Sequence, residues 1–590
     1  MTVSAAEATN FAKSPVVNGT VQAGDVPVVD GIPMIRQNMP TVTITDPLPD
    51  DRAAREALYY QRGWWREETF LDDLRRQSRI RPHKPAVAAR RLREARTDTL
   101  DYFELGRLTD RFAGALVELG VEPGDFVAVQ LPNRWEMVPL LYACIRVGAV
   151  ICPIGPTTPE DALRHRLTLT EARVLITIAE WEGAPLAKSA VKLGEELDSL
   201  RHVAIIDGHA PQGAVDFRSH FVDRLWEDVH DEELDGRELR PDDPFVVLFT
   251  SGTTGESKGV LHSQNTVHSA IRGYVDTFLL DEHLVAAVTT PLVHYSGFAQ
   301  GILASVMLGG TIAFQDRRRN EALLDLVQKY GATLLYGPPP TLTDIAQSQR
   351  AEPRDVSTLR HVVTGSAQVL QPLVDDLRET LGARTYSLWG MSENGPVTIT
   401  RLDYNQDWAA HSNGRPIDAM EIRIDKCLNP TERAPVGRLR VRGASQALGY
   451  FKRDAEYQEK MLDDQWFDTG DVARDDGRGG IRILCRASDA IKRDGMVVPM
   501  AEIESVVNRH EKVAEATLVG PSGRVEDPIL AVVVPSGDAH PSLEEIRAHL
   551  READTEERFL PDRLEVMDEL PKTLTGKVRK ATLRQLFGEG

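Results

Sequence analysis

The sequence predicts an α/β protein: a large N-terminal domain of mainly parallel sheets covered by helices, plus a small mobile α+β C-terminal domain. Three observations predict it. The chain has 590 residues, too many for one ordinary core. Apolar strand-like runs alternate with amphipathic helical runs from "WWREETFLDDLRRQ" to about residue 480. The last ~100 residues then change to a shorter rhythm of helices and strands.

Residues 1–50 are rich in Pro, Val, Thr and Gly without a helical period, and read as a loosely structured extension. Leu71, Leu74 and Ile80 fit one side of a helix, with Ala86 to Ala89 as the strand after it. "YFELGRLTDRFAGALVELGV" is an amphipathic helix, "DFVAVQLPN" a strand ending in a turn, "RWEMVPLLYACIRVGAV" a helix and "VICPI" a strand. The tract "VARDDGRGGIRILCRASDAIKRDG", rich in charge and glycine, suits an exposed linker. After it, "AEIESVVNRH" and "SLEEIRAHLREA" read as helices, and "VAEATLVG" and "PILAVVVP" as strands. The expected domains are 51–484, a hinge at 485–489, and 490–590.

Composition narrows the function. The net charge of −20 and a pI near 5.3 disfavour nucleic acid and anionic membranes as partners. No apolar stretch is long enough to span a bilayer, and the N-terminus lacks a basic region followed by an apolar core, so a cytoplasmic protein is expected. Cys144, Cys152, Cys427 and Cys485 show no zinc or C-x-x-C spacing and read as reduced thiols.

The most informative stretch is "FVVLFTSGTTGESKGVLH". An apolar strand ends at Phe249 and opens into Thr250, Ser251, Gly252, Thr253, Thr254 and Gly255, with Lys258 three residues later. Turned glycine backbone and hydroxyls can build a nest for an anion, and a lysine suits a polyphosphate. The mononucleotide loop G-x-x-x-x-G-K-[ST] places its lysine directly after the second glycine; here two residues intervene, which excludes that motif.

"TSGTTGESKG" resembles the signature [ST]-[ST]-G-[ST]-[ST]-G-x-x-K-G of the AMP-forming acyl-activating superfamily, which includes acyl-CoA ligases, luciferases and the adenylation domains of peptide synthetases. Six further segments follow in that family's order. "PLVHYSGFAQG" is similar to P-x-x-H-x-x-G, which implies an acyl pocket using His294, Tyr295, Gly297 and Phe298, with His294 also a catalytic candidate. "VVTGSAQVL" resembles the turn that contacts adenine, here Gly365, Ser366 and Ala367. "YSLWGMSENG" resembles Y-G-x-T-E, which puts Trp389, Gly390, Met391 and Ser392 at the nucleotide and implies Glu393 as the magnesium carboxylate. "WFDTGD" implies Asp471 on the ribose hydroxyls, which a carboxylate can accept from together. "CRASDAIKRDG" resembles the hinge segment, with Arg486 at the nucleotide, Ser488 as the hinge, and Lys492 and Gly495 toward coenzyme A. "PKTLTGKVRK" implies Lys577 as the lysine between the carboxylate and the α-phosphate, where a cation stabilises the charge that gathers in the transition state.

The resemblance runs from about Trp64 to Leu586 and looks most like bacterial short/medium-chain and alicyclic acyl-CoA ligases. It implies ATP, Mg2+ and coenzyme A as cosubstrates and cofactors, and two half-reactions: adenylation of a carboxylic acid, then transfer of the acyl group to CoA. It also implies that the C-terminal domain turns between them. The pocket segments carry no evident cation for a second carboxylate, so a hydrophobic monocarboxylic acid, bulky or alicyclic, is expected. Departures from the family pattern cluster. Trp389 replaces an aromatic that is usually Tyr, Cys485 replaces glycine, Ser488 replaces Asp or Lys, and Lys580 replaces the final arginine. They open a second reading, in which adenylation is impaired and the enzyme works from a preformed acyl-adenylate. An adenylation enzyme loading an acyl carrier protein, a non-catalytic acyl-nucleotide-binding protein, and a homodimer also fit the sequence.

Overall fold

In the computed structural model the described residues are 28–29, 32–33, 48–250, 257–404, 406–425, 436–494, 496–520, 528–572 and 578–587. The N-terminal extension, most of the phosphate loop (Ser251, Gly252, Thr253, Thr254 and Gly255), Cys427, Gly495 and Lys577 lie outside them, apart from two short strands at Val28–Val29 and Ile32–Pro33.

Two large, mainly parallel sheets form the body of the protein. One has eight strands, with Phe126–Gln130, Val150–Ile154, Val174–Ile178, His202–Ile206 and Pro244–Thr250 among its parallel members. The other has nine, with Pro85–Arg91, Val285–Val288, Thr311–Gln315, Leu334–Tyr336, His361–Gly365 and Arg384–Met391 running parallel. Helix Met137–Val147 is buried at every position. A helix apolar all round, as this one is at Val138, Leu140, Leu141 and Ile145, is stable only where packing surrounds it. It shares one continuous core with helices Tyr102–Glu118 and Gln264–Phe278 and with strands of both sheets.

Local sequence sets the ends of these elements. Asp101 caps helix Tyr102–Glu118 in a reciprocal box with Glu104, and Ser263 caps Gln264–Phe278 through Thr266. Leu71 and Leu74 are buried as expected, but Ile80 is 59% exposed. Six residues carry it about 240° around the helix from Leu74, away from the core face.

Two further expectations change. The βα alternation stops near residue 400, where Met420–Asp425, Val436–Gly443, Phe467–Asp475 and Ile481–Arg486 form a four-stranded antiparallel sheet. Residues 472–486 of the tract read as an exposed linker are therefore two paired strands of that sheet and their turn. Asp476 accepts from the N–H groups of Arg478 and Gly480, and from the Ser412 hydroxyl at 2.5 Å, while Asp475 accepts from Gly477. The acidic and glycine residues build a hydrogen-bonded turn rather than a solvated tether. The C-terminal region holds the three-stranded sheet Val513–Val519, Leu530–Pro535 and Arg563–Val566, covered by helices Met500–Val507 and Leu543–Glu552 around their own core. Among the described residues no helix is long and apolar enough to cross a membrane.

Candidate active site

The site builds up from the carboxyl ends of the parallel strands, where open α/β sheets place their ligands. Thr250 ends one strand and Lys258 begins the next, and the two are directly paired across an antiparallel hairpin. The loop between them thus leaves from a fixed pair of residues. The element after Lys258 is a strand rather than a helix, which agrees with the exclusion of the mononucleotide loop.

Lys258 pairs with Glu456 at 2.6 Å, and its ammonium lies 5.1 Å from the centre of the Tyr450 ring. The Tyr450 hydroxyl donates to Glu393 Oε1 at 2.7 Å. The phosphate-loop lysine and the predicted magnesium carboxylate are therefore joined through one tyrosine. Burial, with the Glu393 charge adding to it, holds the Tyr450 hydroxyl far above its ordinary range, so it stays a donor. Glu393 is buried, and its Oε2 accepts no hydrogen bond among the described residues. That oxygen suits a hard cation. No group of three or more His, Cys, Asp or Glu side chains is placed to hold a metal among the described residues.

A second cluster forms around Asp471, which is buried. The indole N–H of Trp389 donates to its Oδ2 at 3.1 Å, and Arg486 Nε meets its Oδ1 at 3.1 Å. Arg486 also donates to the Thr469 carbonyl at 3.1 Å. The turn at Gly365, Ser366 and Ala367 lies on the neighbouring strand, with Gly365 in register with Leu388. A Cβ at Gly365 would come within 2.3 Å of the Leu388 carbonyl, and one at Gly390 within 2.1 Å of the Gly395 carbonyl. Ser366 takes a left-handed backbone (φ +69°) and is exposed. Met391 is partly buried against the core.

The segment around His294, expected to line the acid, approaches Gly395 through Tyr295. His294 is half-buried, with Nδ1 3.1 Å from the Ser296 hydroxyl. A Cβ at Gly297 would clash with the Pro291 carbonyl, so the segment turns tightly there. Tyr295 is buried, its hydroxyl has no hydrogen-bond partner among the described residues, and it faces Gly395 just past Glu393. Phe298 is fully buried against Phe245 at 5.7 Å, on the core side of the segment.

Sequence reasoning missed three residues. His262 is buried, lies 5.4 Å edge-on to the Tyr295 ring, and its Nε2–H donates to the Ser392 carbonyl at 2.6 Å. Burial pushes its pKa down to about 4, so it is neutral and holds the Ser392–Glu393 turn against the acyl segment. Tyr450 and Glu456 come from "GYFKRDAEY", a stretch with no distinctive spacing. Ser488 is exposed between two anchors: Arg486 is held to Asp471, and Asp489 pairs with Arg584 on helix Lys580–Phe587. Lys492 is paired with Val497 in a short hairpin and is partly exposed.

The family model described as AMP-binding enzyme matches residues 74–451, and that for the AMP-binding enzyme C-terminal domain matches residues 502–577. The chain is 27% identical over 535 residues to the medium-chain fatty-acid–CoA ligase of Escherichia coli (strain K12), covering 90% of this chain and 92% of that one. It is 31% identical over 484 residues to the 3-[(3aS,4S,7aS)-7a-methyl-1,5-dioxo-octahydro-1H-inden-4-yl]propanoyl:CoA ligase of Mycobacterium tuberculosis (strain ATCC 25618 / H37Rv), covering 80% and 91%. Among solved structures, ATP-bound MatB from Rhodopseudomonas palustris superposes with a TM-score of 0.76 at 23% identity, over 88% of this chain and 99% of that one, which shows a shared fold.

Proposed function

Since this chain belongs to the AMP-binding enzyme family, we propose that it activates a hydrophobic carboxylic acid, bulky or alicyclic, as an acyl-adenylate and transfers the acyl group to coenzyme A. As a family member it is an AMP-forming acid–thiol ligase. One observation carries the two-step reading: Asp471, held by Trp389 and Arg486, stands beside the adenine turn, while Lys258, Tyr450 and Glu393 form a connected phosphate-side cluster.

In the first step the acid's carboxylate oxygen attacks the α-phosphorus of ATP, and the bond to the β-phosphate oxygen breaks to release pyrophosphate. Lys577 bears on the charge that accumulates between carboxylate and α-phosphate. Glu393 would hold a magnesium ion, which would offset phosphate charge. Asp471 accepts from the ribose hydroxyls, and Gly365, Ser366, Ala367 and the Trp389–Ser392 strand end fix the adenine. In the second step the CoA sulfur attacks the acyl carbon and AMP leaves with its oxygen. Lys492 and Gly495 serve that step after rotation about Ser488. His294, Tyr295 and Gly297 border the acid. The assigned domains are 51–484 and 490–590, with the hinge at 485–489 between them.

A panel of acids, with ATP–pyrophosphate exchange and mass spectrometry of the CoA product, tests this. Acid-dependent exchange together with an acyl-CoA mass supports the reading. Exchange that yields acyl-AMP but no thioester with CoA, and an acylated product only with an acyl carrier protein, would replace the acceptor. Thioester formation from synthetic adenylates without any exchange would assign the enzyme to the second half-reaction alone.

A further inference from the structure

We propose that Arg166 is a further polyphosphate-binding residue, contacting the outer phosphates of ATP and the pyrophosphate that leaves, an assignment that rests on the adenylating reading above. Arg166 lies on helix Glu160–Thr170, whose Leu163 and Leu167 share a core with Val247 of the strand that leads into the phosphate loop. Its guanidinium carbon sits 5.1 Å from the ring centre of Phe249, one residue before Thr250, where that loop begins. The guanidinium is thus at the carboxyl end of the parallel strands, on the loop's doorstep.

Among the described residues no carboxylate compensates its charge. Arg166 is partly buried and makes no ion pair among the described residues; its only side-chain hydrogen bond is a 3.4 Å contact to the Thr158 hydroxyl, and its Nε is shielded from water without a partner. Two other buried arginines of this chain are matched by carboxylates, whereas Arg55 and Arg482, both remote in sequence from the phosphate loop, are buried without an ion pair among the described residues. Arg134 pairs with Glu136 and Asp207, and Arg442 with Glu421 and Asp50. Burial with no carboxylate to counter it pulls the Arg166 pKa down, yet a guanidinium remains charged at neutral pH. An unpaired buried cation is costly unless a ligand supplies the anion. Meanwhile the loop's own lysine is already matched, because Lys258 pairs with Glu456 at 2.6 Å. Of the two described cations at the loop's ends, Lys258 is therefore neutralised and Arg166 is not. A guanidinium can also take two phosphate oxygens at once, which an ammonium cannot.

The test uses the full-length protein and Arg166→Met, which keeps apolar bulk over Phe249 and removes the charge. Calorimetric affinity for MgATP and for pyrophosphate is expected to fall about tenfold or more, as for loss of a charge-assisted contact. In exchange assays the KM values for both rise in parallel, while the KM for the acid and, with a synthetic adenylate, for CoA stay within about twofold. Arg166→Lys recovers part of the loss. Arg166→Gln carries the same expectation should the methionine variant not fold. Unchanged affinity for MgATP and pyrophosphate in a variant of native Tm overturns the assignment. So does a shift confined to CoA, which would place a CoA phosphate there instead. Calorimetry needs no turnover, so absence of exchange in the unsubstituted enzyme would sink the adenylating reading separately, and the affinity difference would still decide the role of Arg166.

Discussion

The indole N–H of Trp389 and the guanidinium of Arg486 hold one carboxylate between them, so Asp471 is oriented by donors from two different strands. Indole is bulkier than the phenol usual at this position and could crowd adenine. The hydrogen bond gives the larger ring a positioning role that a phenyl ring would lack. Trp389→Phe is expected to raise the KM for ATP about three- to tenfold, the usual net worth of one hydrogen bond, with little change in kcat. ATP–pyrophosphate exchange checks this. A rise in exchange with Trp389→Tyr would show instead that the indole hinders adenylation. Most proposed site residues could be read from sequence because each motif carries glycines or charges at fixed spacing, as Lys258, Glu393 and Asp471 do. His262, Tyr450 and Glu456 could not. Their part in the site comes from burial and from contacts to residues 57 to 198 positions away, which no local pattern encodes.

Element by element, the parallel strands were legible because each is a short apolar run between turn signals, as in Val150–Ile154. The hairpin Phe467–Asp475 to Ile481–Arg486 was not, because its turn is acidic and glycine-rich while its strands mix charged and apolar residues. The turn has a pH signature. Burial, reinforced by Asp476, pushes the Asp475 carboxyl up to about 6 from an ordinary value of 3.8, against the Gly477 N–H that favours its charged form. Between those two values the folded state binds more protons than the unfolded chain. Stability from this group is therefore fully present below the unfolded value and is lost as pH rises through about 6. Asp475→Asn keeps an acceptor for Gly477 and removes the titration. The variant should gain on the order of 1–2 kcal/mol over the unsubstituted protein above pH 7, after allowance for solvent screening, and little or nothing near pH 4. Paired thermal melts at the two pH values measure that difference. A gain of equal size at both would assign the effect to packing rather than to charge.

At the scale of the whole molecule, polar contacts among the described residues join the C-terminal region to the body. Arg474, on strand Phe467–Asp475, pairs with Glu502 on helix Met500–Val507. Gln368, one residue past the adenine turn, donates to the Ala501 carbonyl at the start of the same helix. Each domain otherwise keeps its own large core, apart from a small apolar seam where Val497 meets Val436, Val472 and Leu484. Such a joint suits an element with two poses, because a surface-type ion pair is worth only about 0–1 kcal/mol and a population shift needs no more than that to be measurable. The sequence predicted a separate C-terminal unit from its change of rhythm, but these two contacts were hidden, since Glu502 and Gln368 look like ordinary polar surface residues. Glu502→Gln removes the ion pair while leaving the helix and the Gln368 contact in place. If the pose held by Arg474 and Glu502 serves one half-reaction, that half-reaction should slow about two- to fivefold and the other should hold or quicken, because the freed population moves to the alternative pose. Exchange reports the first half-reaction and thioester formation from a synthetic adenylate reports the second, so the two are read independently of the overall rate. Equal loss in both, with a lower Tm, would mean that the pair serves stability alone. Opposite movement at unchanged Tm would identify it as a latch between the two catalytic poses.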